Sequence, residues 1–365
     1  MKRRVAVLYG GRSSEHAISC LSARSVFAVI DRDRYEVLPV GITRTGRWTL
    51  TDGVIEPTAG AVLPEVADDG PTVALVGTRR GPQLIRVEDD GDGDGAAVPL
   101  GPVDAAFPLL HGPWGEDGTV QGLLATVGVP YVGADVTASS IGIDKAAMKA
   151  TFAARGLPQL AYLAVHRARW RSDPAGVTDE LAASLPIPWF VKPARQGSSI
   201  GISKVKHADE LADAMAAAFV HDAVVVIEEG VEGARELEVG VLGAEVLEVT
   251  APGEVVPSHE FYDFEAKYLD ASELLIPADV PDIVRRRIDQ LARAAYRAIG
   301  CRGLARVDFF ARPDGEVVVN EINTIPGFTP ASMFPQLWAA EGVSYPALVA
   351  RLLDAAMIDE PSTQG

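Results

Sequence analysis

Two carboxylates, a carboxamide and a guanidinium are spaced so that one β-ribbon can present them together in ARVDFFARPDGEVVVNEIN, residues 305–323. Arg306 and Asp308 lie two apart, as do Glu321 and Asn323, and residues two apart on a strand share a face. If Asp314-Gly315 forms a two-residue turn, Asp308 falls opposite Glu321 and Arg306 opposite Asn323. Val307, Phe309, Val319 and Ile322 then make or flank the apolar face. Carboxylates at cross-strand distance repel unless a cation lies between them, and an Asp/Glu/Asn oxygen set suits Mg²⁺ that also holds phosphates. This chemistry points to a nucleotide site. The pattern also fits an edge hairpin with a charged solvent face, in which Arg306 only neutralises Asp308.

The elements around the ribbon must supply the phosphate grip. VKPARQGSSIGISKV sets Lys192 at a strand end, followed by Gly197, Ser198, Ser199 and Gly201 in a loop and then a second strand. Successive backbone N–H groups beside hydroxyls and a lysine make an anion nest. A hairpin turn with no ligand reads the same way, and the chain has no GxxxxGK[ST] loop. At the start, RVAVLY reads as a buried parallel strand, followed by Gly10-Gly11 and a helix capped by Ser13 or Ser14 that runs through Ala28. Tyr35–Ile42 is the next strand, making a doubly wound unit. Residues 51–101 are rich in Gly, Pro and Asp and read as an irregular, solvent-facing insertion with small hairpins such as TVALVG and QLIRV. Its acidic run EDDGDGDGAA lacks the glutamate and spacing of an EF-hand. Strands recur at WFVKPA, GISKV, VVVIEE and LEVGVLG, and the tail from Val343 to Ala356 is an amphipathic helix.

Composition narrows the classes. A chain of 365 residues suggests two or three domains. A net charge of −17 argues against nucleic acid or an anionic membrane as partner, so any phosphate site is local. Cys20 and Cys301 are too few for a disulfide framework or zinc cluster, which fits a reducing cytosol. MKRRVAVLYGG has too short an apolar run for a secretory signal, and no stretch approaches membrane-spanning length.

Six segments, LYGGRSSEHAIS, LHGPWGEDGTVQG, VKPARQGSSIGISKV, FYDFEAKY, RVDFF and NEINTIPGFTPASMFP, occur in one order over nearly the whole chain. Together they resemble the ATP-grasp superfamily and, within it, the D-alanine:D-alanine ligases. The resemblance implies an α/β chain with α+β elements: a Rossmann-like preATP-grasp domain over residues 1–140, then a two-lobed ATP-grasp fold with a small lobe at 141–228 and a C-terminal lobe at 229–365. It implies ATP-dependent joining of two D-alanines through a D-alanyl phosphate, for peptidoglycan precursors, by a cytoplasmic homodimer whose partners are otherwise only small molecules.

Carried onto this sequence, the resemblance makes Asp308, Glu321 and Asn323 ligands of two Mg²⁺, with Mn²⁺ as an alternative. Lys145, Lys192, Ser199 and Lys267 contact ATP phosphates. Glu228, Glu229 and Val231 form the adenine-reading hinge, and Glu236 binds the ribose, although GAREL leaves that register open by one residue. Glu15 holds the first D-alanine's ammonium and His111 lies near that substrate. Taken alone, Glu15 is also a first-turn helix glutamate and His111 a local hydrogen-bonding residue. Arg306 and Gly327 stabilise the oxyanion, Ser332 and Met333 take the second carboxylate, and Ser198 with Tyr268 closes a network on Glu15. The competing expectations are a related ligase with another D-amino or D-hydroxy acid as second substrate, and a nucleotide-binding homologue without catalysis. A nicotinamide dehydrogenase is disfavoured, since LYGGRSSEH lacks GxGxxG.

Overall fold

In a computed structural model of the chain, the described residues are 2–56, 63–88, 96–256 and 273–358. The strand Arg3–Gly10 is buried from Val5 onward because it is the inner member of a sheet, paired in parallel to Tyr35–Ile42 and Ala105–Pro108, with Trp48–Leu50 at one edge. Helix His16–Val29 packs Cys20, Ala23 and Val26 onto it. This is the expected doubly wound start, with one correction. The helix begins later than a Ser13 or Ser14 cap requires, because Ser13 Oγ donates to the His111 carbonyl at 2.7 Å while accepting the Glu15 N–H at 3.2 Å. Glu15 therefore occupies the cap position.

The segment expected to be irregular and solvent-facing differs more. Val73–Thr78, Gly81–Val87 and Ala97–Pro102 form a three-stranded antiparallel sheet. Val73, Leu75 and Leu84 turn inward and share a core with Val120 and Leu124 of helix Thr119–Val127. The alternation was present, but frequent Gly, Pro and Asp masked it. Leu84→Ala is expected to destabilise the protein by about 2–5 kcal/mol, measured by urea unfolding, as for other fully buried leucines. A loss below about 0.5 kcal/mol, the usual size for a surface change, contradicts this packing.

The next sheet runs Ser203–Val205, Trp189–Pro193, Val224–Glu229, Tyr162–His166, all antiparallel. Alternation gives it two faces. Trp189, Val191, Val225 and Ile227 are buried with Val177, Leu181 and Met215 of the covering helices, while Phe190, Lys192 and Glu228 point the other way. A six-stranded sheet is centred on Arg235–Gly243 and Gly303–Ala311, with Val317–Asn323 at one edge. Leu237, Val239, Ala305, Val307 and Phe309 pack with Ile288, Leu291, Ala292 and Tyr296 of helix Asp282–Ala298.

Three helices connect these layers. Met148 and Phe152 of Lys145–Ala154 lie in the core of the six-stranded sheet, not in that of the small one, so the small lobe's own apolar core begins at Val165, later than position 141. Phe334, Trp338, Leu348 and Leu352 near the C-terminus share a core with Val5, Val7 and Cys20. The segment around Ser332 and Met333 is thereby brought toward the N-terminal sheet. Two antiparallel sheets beside a mostly parallel N-terminal sheet match the arrangement that the motifs implied. Among the described residues no helix is long and apolar enough to cross a membrane.

Candidate active site

The ribbon pairs Arg306 with Asn323 and Asp308 with Glu321, as expected, but by a different route. Its loop has three residues, Pro313, Asp314 and Gly315, closed by the Gly315 N–H to the Arg312 carbonyl at 2.9 Å and by Arg312 N–H to Glu316 O at 2.8 Å. Gly315 sits at φ +88, the left-handed position that three-residue hairpins assign to glycine. This corrects the two-residue turn and shifts the register by one. A bulge then shifts it back, since Phe309 pairs with Val319 while Asp308 pairs with Glu321, leaving Asn320 without a rung.

On the polar face, Arg306 holds both Asp308 oxygens, Nε to Oδ1 and Nη2 to Oδ2, each at 2.7 Å. Asn323 Nδ2 lies 3.0 Å from Asp308 Oδ2. Arg306 Nε is also 2.8 Å from Glu238 Oε2 on the neighbouring strand. Burial alone would lower the Arg306 pKa, but Asp308, Glu238 and Glu321 raise it well above its ordinary value, so it is a permanent cation. Glu236 stands on this face with Glu238, because Leu237 between them points into the core.

The lysines approach from the opposite side. Lys145 Nζ is 3.8 Å from Glu321 and donates to Gln196 O at 2.8 Å, tying helix Lys145–Ala154 to the Gly/Ser loop. Lys192 Nζ donates to Glu228 Oε2 at 2.8 Å, and Lys149 Nζ is 3.3 Å from Glu228 Oε1. Burial would raise the Glu228 carboxyl, yet Lys192 and Lys149 hold it at about 2. Burial lowers Lys149 against the pull of Glu228, whereas for Lys192 the Glu228, Glu321 and Glu236 charges outweigh burial and raise it. Glu228 thus reaches the site through its side chain as the anchor of two lysines.

A carboxyl depressed from 4.5 to about 2 stabilises the fold fully above pH 4.5 and loses that contribution as pH falls toward 2. The gap in unfolding free energy between parent and Glu228→Gln should therefore shrink as urea titrations move from pH 5 to the acid limit of folding. A gap independent of pH would show that Glu228 is not ionised in this triad.

Glu15, the cap residue of helix His16–Val29, is buried and accepts a hydrogen bond from Ser198 Oγ. Ser198 and Ser199 both have left-handed φ, at +49 and +57, an unusual conformation for residues with a Cβ. A Cβ on Gly112 or Gly197 would lie 2.6 or 2.8 Å from Glu15 Oε2, so these glycines leave the room the carboxylate occupies. His111 Nδ1 faces the Ile325 carbonyl at 3.1 Å, making it the donor and leaving Nε2 to accept from Ser22 Oγ at 3.2 Å. Burial lowers its pKa, so His111 is a neutral tie between the N-terminal helix and the segment beyond the ribbon. Glu116, whose Oε2 accepts the Gly112 N–H at 2.6 Å, is pushed up to about 8 by burial and then by the Glu15 charge.

Gly327 and Ser332 adjoin, since a Cβ on Gly327 would meet Ser332 Oγ at 3.1 Å. Ser332 is the cap residue of helix Met333–Ala340, and its Oγ accepts the Thr329 N–H at 3.1 Å. Met333 is buried against Val255 and Leu337. Glu229 turns its side chain to Arg312 at 3.0 Å, and Val231 follows at the crossover between lobes. Lys267 and Tyr268 lie outside the described residues.

Sequence reasoning overlooked Lys149, Glu238 and Glu116. Lys149 is four residues after Lys145 on one helix and Glu238 two after Glu236 on one strand, so periodicity could have found both. Nothing local marks Glu116.

Residues 4–134 match the family model for the D-ala D-ala ligase N-terminus, and residues 151–354 that for the D-ala D-ala ligase C-terminus. The D-alanine–D-alanine ligase of Arthrobacter sp. (strain FB24) is 49% identical over 98% of this chain and 94% of its own length. That of Kineococcus radiotolerans is 50% identical over 98% and 97%. Among solved structures, the D-alanine–D-alanine ligase from Coxiella burnetii aligns with TM-score 0.80 at 31% identity, covering 98% of this chain and 94% of that one. The VanG D-Ala:D-Ser ligase from Enterococcus faecalis aligns with TM-score 0.82 at 33% identity, covering 98% and 100%.

Proposed function

This chain belongs to the D-ala D-ala ligase family, and we propose that it joins two D-alanines to D-alanyl-D-alanine at the expense of ATP, in the cytoplasm, for peptidoglycan precursors. The observation that carries this reading is the single polar face of Arg306, Asp308, Glu321 and Asn323, set against Lys145 on the adjoining helix. The donor set fits Mg²⁺: the Asp308 oxygens hold a cation, Arg306, and the neighbouring donors are Glu321 and the Asn323 amide. With its amide turned, Asn323 offers oxygen instead of nitrogen. Two Mg²⁺, or Mn²⁺, held by Asp308, Glu321 and Asn323 would neutralise triphosphate charge.

The protein's own groups divide the remaining work. Lys145 and Lys192 bind and orient phosphate oxygens, with Ser199 in the loop that follows Lys192; Lys192 is kept charged by Glu228. Glu229 and Val231 lie where the adenine ring would rest, and Glu236 faces the ribose. Glu15, steadied by Ser198, takes the first D-alanine's ammonium, with His111 fixing the surrounding loops. That substrate's carboxylate oxygen attacks the γ-phosphorus and ADP leaves, which turns a poor electrophile into an acyl phosphate. Ser332 and the Met333 N–H, at a helix start, hold the second D-alanine's carboxylate. Its amine attacks the acyl carbon, Arg306 and the Gly327 N–H stabilise the oxyanion, and phosphate departs with the original carboxylate oxygen. Lys267 and Tyr268 complete the reading as a γ-phosphate contact and a closing residue over Glu15. The working assembly in this reading is a homodimer.

D-alanine labelled with ¹⁸O in its carboxylate should transfer one label into inorganic phosphate for each dipeptide formed. Label-free phosphate alongside dipeptide would exclude the acyl phosphate. The structural likeness to a D-Ala:D-Ser ligase supports a second reading, in which another D-amino or D-hydroxy acid is the better second substrate. Phosphate release across a panel of such acids separates the two.

A further inference from the structure

Arg306 has two tasks in the proposed reaction that conflict unless a second anion holds it. Both Asp308 oxygens accept from its guanidinium at 2.7 Å, so a divalent ion drawn to Asp308 competes with Arg306 for the same carboxylate. The Arg306 side chain is only 16% exposed, and a buried guanidinium left without a counter-charge is strongly unfavourable. Glu238 lies directly across from Asp308 in the sheet register and is already 2.8 Å from Arg306 Nε. From this geometry, and resting on the function proposed above, we propose that Glu238 is a positioning residue that retains Arg306 when Asp308 turns to a divalent ion, and aims it at the reacting carbonyl.

Arg306 keeps Asp308 and Glu238 from repelling one another. On loading, Asp308 exchanges one cation for another, while the guanidinium keeps one carboxylate and frees a side of its fork for the oxyanion. Without Glu238, Arg306 has a weaker alternative to Asp308 and competes longer with the metal. Removal of Glu238 should therefore reduce both metal affinity and turnover, through Arg306 in each case.

The test is a double-mutant cycle on Mn²⁺ affinity, read from the free-ion paramagnetic resonance signal of the full nucleotide-free chain. Glu238→Gln should weaken Mn²⁺ binding about tenfold, the lower end of the range for losing an outer-shell partner. In an Arg306→Met background the same change should shift affinity by less than about threefold, since no guanidinium remains to be retained. Steady-state kinetics of Glu238→Gln should show kcat at least about tenfold lower with KM for D-alanine nearly unchanged, and Glu238→Asp should recover part of the loss. Equal Mn²⁺ shifts in the two backgrounds would overturn the proposal, as would parental affinity in Glu238→Gln. A merely structural role would lower the melting temperature while leaving the cycle additive. If the parent makes no dipeptide, the proposed function fails, while the Mn²⁺ cycle still reports on Glu238.

Discussion

Arg306→Met should lower dipeptide turnover at least about a hundredfold while leaving ATP affinity close to that of the parent, the pattern expected when one oxyanion donor is lost. Methionine keeps much of the side chain's length and apolar stem but removes every N–H. The change also takes the counter-charge from Asp308 and Glu238, which lie at 2.7 and 2.8 Å from the guanidinium. Asp308 is then free of the cation that competes for it, so the affinity for Mn²⁺ should rise. Turnover and metal affinity would thus move in opposite directions. Single-turnover assays sharpen the test, because formation of acyl phosphate should persist while its capture by the second amine slows. A parental turnover rate, or a drop matched by an equal rise in KM for ATP, would show that Arg306 serves nucleotide binding instead.

The pairing of Arg306 with Asn323 and Asp308 with Glu321 rested on a two-residue turn that does not exist. Two departures of one residue cancel, the longer loop at Pro313–Gly315 and the bulge at Asn320. Parity survived both, and parity alone decides which face a side chain takes. Bulges have no reliable local signal, so the agreement at the site conceals a disagreement between Phe309 and Ala311. The charge pairs between different elements were less legible. That Glu228 reaches Lys149 and Lys192 depends on helix Lys145–Ala154 being pinned by Met148 and Phe152 in the core of the large sheet, a contact distant in sequence. Likewise the hydrophobic alternation of Val73, Leu75 and Leu84 became meaningful only once Val120 and Leu124 supplied a surface to pack on. Spacing revealed which residues share an element and a face; which faces meet is a property of the folded whole.

Asp308→Asn poses the complementary case, since it removes one negative charge from the same cluster while keeping the side chain's shape. A neutral amide accepts at one atom and donates at the other, so it can neither receive both arms of Arg306 nor anchor a divalent ion as an anion does. Arg306 keeps Glu238 at 2.8 Å, which spares the guanidinium a wholly uncompensated burial. The melting temperature should accordingly fall modestly, while the Mg²⁺ concentration giving half-maximal activity should rise by more than the roughly 10- to 100-fold that follows loss of an outer-shell partner, because a direct ligand is lost here. Arg306→Met and Asp308→Asn are thus expected to divide cleanly, with metal affinity improved in one and impaired in the other. Titration of both variants with Mn²⁺ under identical conditions decides it. If both lose affinity, Asp308 and Arg306 form one structural ion pair and the metal sits elsewhere; if neither changes, the polar face of the ribbon is not the metal site.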